Sequence, residues 1–139
     1  MFVDAGVMIN RYVYMDMLRE HFFPWAEEHF GDEEWCFQQD SAPGHRANET
    51  QEMLAEECPD FISRDAWPPN SPDLNPLDYS IWSILEQKAC AKPHKTVESL
   101  KRALIKAWDE IPVETLAKTV DNFPKRLKAC VEAEDGHFE

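Results

Sequence analysis

Residues Trp67–Trp82 read WPPNSPDLNPLDYSIW, with four prolines in the first ten positions. Proline fixes φ, donates no backbone hydrogen bond and pushes the preceding residue toward extended conformations, so a stiff, extended loop is predicted here and helix or central strand is excluded. The loop closes on a helix start. Asn75 is a natural N-cap, Pro76 suits the first helical position, and Asp78 falls in the first turn, where exposed amides favour an acid. The helix then runs through Tyr79, Trp82 and Leu85.

Upstream, Trp35–Gln39 predicts an aromatic-rich strand that ends at Asp40. A tight Ser41–His45 loop follows, then a helix over 46–57 and a short strand at 61–63. Nearer the start, Met1-Phe2-Val3 can end a strand. Asn10 can cap a helix with Val13, Met17, Leu18, His21 and Trp25 on one side, kinked or ended by Pro24. Gly31-Asp32 makes a turn. Downstream, Thr96 can cap a helix on which Val97, Leu100, Leu104 and Trp108 recur, and Pro112 and Pro124 punctuate the remaining helical tail. Strand, helix, strand, helix predicts an α/β unit with a helical C-terminal extension. Cys36 and the tryptophans read as core.

The 139 residues are 43% hydrophobic with five Trp, which argues against disorder, and the length suits one domain with a real core. No apolar run nears the ~20 residues of a membrane span, and no basic-then-apolar leader opens the chain, so a soluble, untargeted protein is expected. The net charge of −13 speaks against a polyanionic partner. The charge is uneven, however: residues 1–60 carry −11, while 88–130 carry +5. That local basicity reopens nucleic-acid binding, with an ordinary solvated helix surface as the plain alternative. The four cysteines form no CxxC or Cys/His cluster, so neither zinc nor a disulfide framework is indicated, and reduced thiols are the default.

Asp40 closes a strand and Asp78 opens a helix, with 37 residues between them. Carboxylates at such positions can converge at the ligand-binding edge of an α/β sheet, and two of them suit hard cations such as Mg²⁺. Asp78 also has a sufficient role as a capping acid. His45 could approach a phosphate or position an acid, or serve as a plain loop residue. Ser41 and Asn75 could orient the carboxylates, although turn and cap duties explain both. Trp67 is better read as packing than as a stacking platform.

QQDSAPGH at 38–45 together with WPPNSPDLNPLDYSIW at 67–82 resembles the catalytic core of mariner-type transposases, of the DDE/DDD group with a ribonuclease-H-like fold. The spacing of 37 resembles a branch that uses three aspartates, and so do CAKPH at 90–94 and FPKRLK at 123–128. By this resemblance Asp40 is the second catalytic aspartate and Asp78 the third, ligands of Mg²⁺ or Mn²⁺ in two-metal cleavage and strand transfer of DNA. His45 and Asn75 are then supporting residues. Residues 1–87 correspond to a partial catalytic domain and 88–139 to its helical extension.

The family's first aspartate lies upstream of anything in these residues, and Asp4 is rejected as its substitute because it leads into the first helix. The ribonuclease-H-like sheet has strand order 3-2-1-4-5, so a partial fold without its early strands leaves the Trp35–Gln39 strand with an open edge. The resemblance therefore implies the C-terminal part of the catalytic domain, binding metal weakly and not cleaving DNA alone. Its partners would be transposon-end DNA and a second copy or the missing transposase half, with nuclear residence following from that substrate. The alternative is a non-catalytic remnant or co-opted domain that binds DNA or protein through 88–130.

Overall fold

The computed structural model describes residues 2–68 and 71–133. Helices dominate, and the sheet is small. In chain order the elements are α1 (Arg11–Met17), a π turn (Leu18–Phe22), α2 (Phe23–Phe30), β1 (Cys36–Phe37), α3 (Pro43–Arg46), α4 (Asn48–Glu57) and β2 (Asp60–Phe61). A 3₁₀ turn (Pro72–Leu74), a second π turn (Leu77–Ile81), α5 (Trp82–Ala89), α6 (Val97–Asp109) and α7 (Val113–Glu132) follow. The chain divides into two compact units, Met1–Asn70 and Ser71–Glu139.

In the first unit, Asn10 caps α1 as expected: its Oδ1 accepts the amides of Tyr12 and Val13 at 2.9 and 3.1 Å. Phe2 and Val3 lie in no strand, and Met1 is outside the described residues. Pro24 does not end the helix. Phe23 N–H reaches Leu18 O, five residues back, so the turn before the proline widens. Pro24 then sits in the first turn of α2, where a missing N–H costs little. The chain leaves α2 through Gly31, whose φ of +54° favours a residue without Cβ.

The first core gathers Met15, Leu18, Met53, Leu54 and Cys58, with Tyr14, Phe22, Phe23, Trp35, Phe37 and Phe61 packed against it. Of the expected face, Leu18 is buried, Val13 and Met17 are half-buried, and His21 and Trp25 are exposed, while Met15 and Ala26 are buried instead. Trp25 instead stacks on His29, with ring centroids 4.8 Å apart.

β1 pairs parallel to β2, Cys36 opposite Asp60 and Phe37 opposite Phe61. The strand expected over Trp35–Gln39 is shorter because Ile62 N–H to Phe37 O closes the ladder and Gln39 turns to other partners. The expected strand at 61–63 begins one residue early, at Asp60. Ser41–His45 is also more ordered than a loop, since α3 occupies Pro43–Arg46. Extended Ala47, with ψ of 143°, separates it from α4.

In the second unit, Ile81, Leu85 and Ala89 meet Ala107 and Ile111, flanked by Ile84, Ala103 and Leu104. Thr96 caps α6 through Ser99 N–H at 3.1 Å. Leu100 and Leu104 are half-buried, whereas Val97 and Trp108 are exposed, so the α6 core stripe keeps Leu104 and adds Ala103 and Ala107. Pro124 does not punctuate the tail, since α7 runs through it without the one bond a proline cannot donate. Pro69 and Asn70 of the proline-rich loop lie outside the described residues, and its 72–74 portion is a 3₁₀ turn, not extended chain.

Among the tryptophans, Trp67 is buried, while Trp25, Trp82 and Trp108 are exposed. Trp35 packs half-buried against the first core, so the expectation of core holds for Trp35 and Trp67 and is corrected for the other three tryptophans and for Cys36, which is exposed. No helix among the described residues is long and apolar enough to cross a membrane.

Candidate functional site

Asp40 lies just beyond β1, where the chain turns toward α3. Its Oδ1 accepts Ala42 N–H at 3.0 Å, an Asx turn of the kind that starts a helical turn. The Ala42 carbonyl then receives the amides of His45 and Arg46, so His45 returns over Asp40 one turn later. His45 Nδ1 lies 2.6 Å from Asp40 Oδ1. A carboxylate only accepts, so the imidazole donates through Nδ1. The Asp40 side chain keeps 51% of its surface exposed, against 22% for His45.

A second layer holds His45. Its ring lies 4.1 Å from that of Tyr14. Tyr14 OH donates to Gln39 Oε1 at 2.7 Å, and Gln39 Nε2 donates to the His45 carbonyl at 3.2 Å. Gln51 Nε2 reaches the same carbonyl at 3.0 Å, and buried Thr50 donates to Gly44 O at 2.7 Å. Arg64 adds bonds to Arg46 O and Asn48 Oδ1. Burial, and then the charge of Asp40, raises the Tyr14 phenol above its ordinary pKa, so Tyr14 stays a donor. The result is an oriented, half-exposed carboxylate.

In the second unit, Asn75 Oδ1 accepts Leu77 N–H at 3.2 Å, and its carbonyl accepts the amides of Asp78 and Tyr79 at 3.0 Å each. Asn75 thus caps the turn that carries exposed Asp78, as expected. The residues beside Asp78 are tied to α7. Tyr79 OH donates to Thr119 O at 2.6 Å, and the hydroxyls of Ser80 and Thr119 lie 2.9 Å apart. Arg126 places its guanidinium 4.1 Å from the Tyr79 ring centroid and donates from Nη1 to Asp73 O at 3.2 Å.

The structure therefore groups Asp40 with His45, and separately Asn75 with Asp78. Among the described residues no group of three or more His, Cys, Asp or Glu side chains gathers in a form that could hold a metal ion. Sequence reasoning missed Tyr14, Gln39, Gln51 and Arg64 around His45, and Thr119 and Arg126 around Tyr79. QQD and FPKRLK lie within the motifs already quoted, so Gln39 and Arg126 carried a signal. Mid-helix Thr119 carried none.

No family model matches the chain. The transposable element Tcb1 transposase of Caenorhabditis briggsae is 31% identical over 129 residues, 93% of this chain and 45% of that protein. The transposable element Tc3 transposase of Caenorhabditis elegans is 35% identical over 101 residues, 71% of this chain and 30% of that protein. The chain thus spans less than half the length of these curated relatives. Among solved structures, the Mos1 transposase catalytic domain with Raltegravir and Mg matches at TM-score 0.81 and 22% identity, over 96% of this chain and 67% of that one. The Mos1 transposase paired-end complex with left transposon end matches at TM-score 0.84 and 22% identity, over 99% of this chain and 40% of that one. Shared sequence along most of its length, on the fold of the Mos1 catalytic domain, makes the chain a homologue of the Tc1/mariner transposase family.

Proposed function

We propose that these residues belong to the catalytic domain of a DNA transposase, an endonuclease and strand-transfer enzyme of the Tc1/mariner kind, in which Asp40 and Asp78 hold divalent metal. The observation that carries the reading is Asp40 itself. It is half-exposed and oriented by the Ala42 amide and His45, in a chain homologous to transposases. Asp40 and Asp78 offer only oxygen donors, the chemistry that suits Mg²⁺ or Mn²⁺. Solved Mos1 catalytic-domain structures with Mg and with Mn support that choice. Such ions, when bound, activate a water or hydroxyl and neutralise charge on a reacting phosphodiester.

The chain's own contribution is orientation. His45 keeps Asp40 aimed through its Nδ1 contact, and Asn75 holds the turn from which Asp78 projects. In this proposal residues 1–87 supply part of a ribonuclease-H-like domain, and 88–139 form its helical extension. Asp40 and Asp78 are the metal-binding carboxylates that these residues contribute, and by themselves the two bind metal weakly and do not support DNA cleavage. Transposon-end DNA is the substrate and the nucleus its place of action, with a second copy or the remaining transposase half as partner. The paired-end assembly described for Mos1 supports this partner choice. The +5 stretch at 88–130 contacts DNA phosphates, and residues 1–60 carry most of the net negative charge.

Titration of the full chain with Mn²⁺, followed by electron paramagnetic resonance, tests this reading alongside a DNA-nicking assay. Weak binding that is lost in Asp40→Ala and in Asp78→Ala, without nicking, is expected. Binding unchanged in both variants would overturn the metal assignment. Robust nicking lost in both would overturn the proposed inactivity. DNA binding that does not weaken steeply with salt would remove the phosphate-contact role of 88–130.

A further inference from the structure

We propose that Arg126 is a positioning residue for Asp78: from α7 it clamps the loop-to-helix turn on which that carboxylate is carried. The inference rests on the reading of Asp78 as a metal ligand and adds a residue to that site. Pro72 and Pro76 bring no backbone donors to the segment leading into Asp78, and Asn75 holds its next amides through side chain and carbonyl. The helix that follows opens as a π turn, Leu77–Ile81, rather than as a regular α-turn. Side-chain contacts add to these local bonds.

Those contacts come from α7 and bracket Asp78. On the N-terminal side, Arg126 Nη1 donates to Asp73 O at 3.2 Å. On the C-terminal side, the same guanidinium covers the Tyr79 ring at 4.1 Å. Tyr79 is fixed at its far end by the bond from its hydroxyl to Thr119 O at 2.6 Å, and Ser80 meets the Thr119 hydroxyl at 2.9 Å. One planar cation thus joins the 3₁₀ turn to the π turn. Arginine can stack on a ring and donate in its own plane at the same time, which the tetrahedral ammonium of lysine cannot. Asp78 is exposed and is carried on the turn that these contacts hold.

The test uses the full chain as wild type, Arg126→Ala, Arg126→Lys and Asp78→Asn. Amide hydrogen exchange reads the clamp without metal, and Mn²⁺ paramagnetic resonance reads the ligand. In Arg126→Ala, exchange at the Leu77–Ile81 amides should rise about tenfold, as expected for loss of one charge-assisted hydrogen bond. Exchange in α6 should stay unchanged, and Mn²⁺ affinity should fall several-fold. Arg126→Lys should recover only part of both effects, and it serves as the readout if Arg126→Ala does not fold. Unchanged exchange at 77–81 would overturn the clamp. Faster exchange with unaltered Mn²⁺ affinity, while Asp78→Asn loses affinity, would leave Arg126 a purely structural residue and overturn the positioning role. Unaltered affinity in Asp78→Asn would instead remove the ligand reading on which the proposal stands.

Discussion

His45 donates from Nδ1 to Oδ1 of Asp40 across 2.6 Å, and the same carboxylate oxygen caps the Ala42 amide. One oxygen therefore organises both the turn into α3 and the imidazole above it. The contact is local in sequence but depends on distant residues, because Tyr14 from α1 and Gln51 from α4 hold His45 in place.

Removing that imidazole should loosen Asp40 more than it destabilises the fold. His45→Ala deletes one hydrogen bond to a half-exposed carboxylate, which costs about 1 kcal/mol. Urea unfolding should show a small drop in midpoint with an unchanged slope, while Mn²⁺ affinity falls several-fold. A loss of unfolding free energy as large as that of a core truncation, about 2–5 kcal/mol, would mean that His45 is chiefly a packing residue.

The two caps offer a cleaner comparison. Asn10 Oδ1 accepts two amides at the start of α1, whereas Thr96 Oγ1 accepts one at the start of α6. Substitution of either by Ala should cost about 0.5–2 kcal/mol, with Asn10→Ala the more damaging. Thermal unfolding of the two single variants checks the order. Equal losses would mean that the second amide of α1 is satisfied by water at no cost.

Both caps were legible in the sequence, as were Gly31-Asp32 and the Asn75 start, because each depends on residues within one turn. The resemblance of QQDSAPGH and WPPNSPDLNPLDYSIW also identified the family. Burial was less legible. Helical periodicity marks an apolar face but does not say where its covered part ends: Trp25, Val97 and Trp108 are left open by the fold, while Met15, Ala26 and Ala107 are covered. On α7 the buried residue is Thr119, and Val113, Val120 and Val131 are exposed, the reverse of what hydrophobicity predicts. The prolines misled for a different reason. Pro24 is accommodated by a widened turn and Pro124 by a helix long enough to lose one bond, and neither device is written in local sequence.

The first unit should lose stability at alkaline pH. Burial raises the Tyr14 phenol above its ordinary 10.0, and burial raises the Cys58 thiol from 9.0 to about 11. For both groups the native state holds the proton longer than the unfolded chain does. Their contribution is therefore fully present below the unfolded values and is lost as pH rises. For Cys58 the window runs from pH 9.0 to about 11. Denaturation midpoints measured across that range should fall, and Tyr14→Phe should flatten the part of the decline above pH 10.0. A flat profile for the wild type would mean that neither group is protected in the native state.

Thr119 should behave as a core residue despite its hydroxyl. It is 5% exposed and lies within α7. Its Oγ1 donates to Thr115 O at 2.8 Å and meets the Ser80 hydroxyl at 2.9 Å. Thr119→Val keeps the shape and removes the hydroxyl, leaving Ser80 short of a partner in a half-buried position. An unsatisfied buried polar group costs about 1–3 kcal/mol, so Thr119→Val should lower the unfolding free energy from urea denaturation by that amount. The double variant Thr119→Val with Ser80→Ala removes both hydroxyls and should recover much of the loss, since no polar group is then stranded. Additive losses in the double variant would show that the two hydroxyls stabilise the unit independently, and that the link between the Asp78 turn and α7 depends on Tyr79 and Arg126 alone.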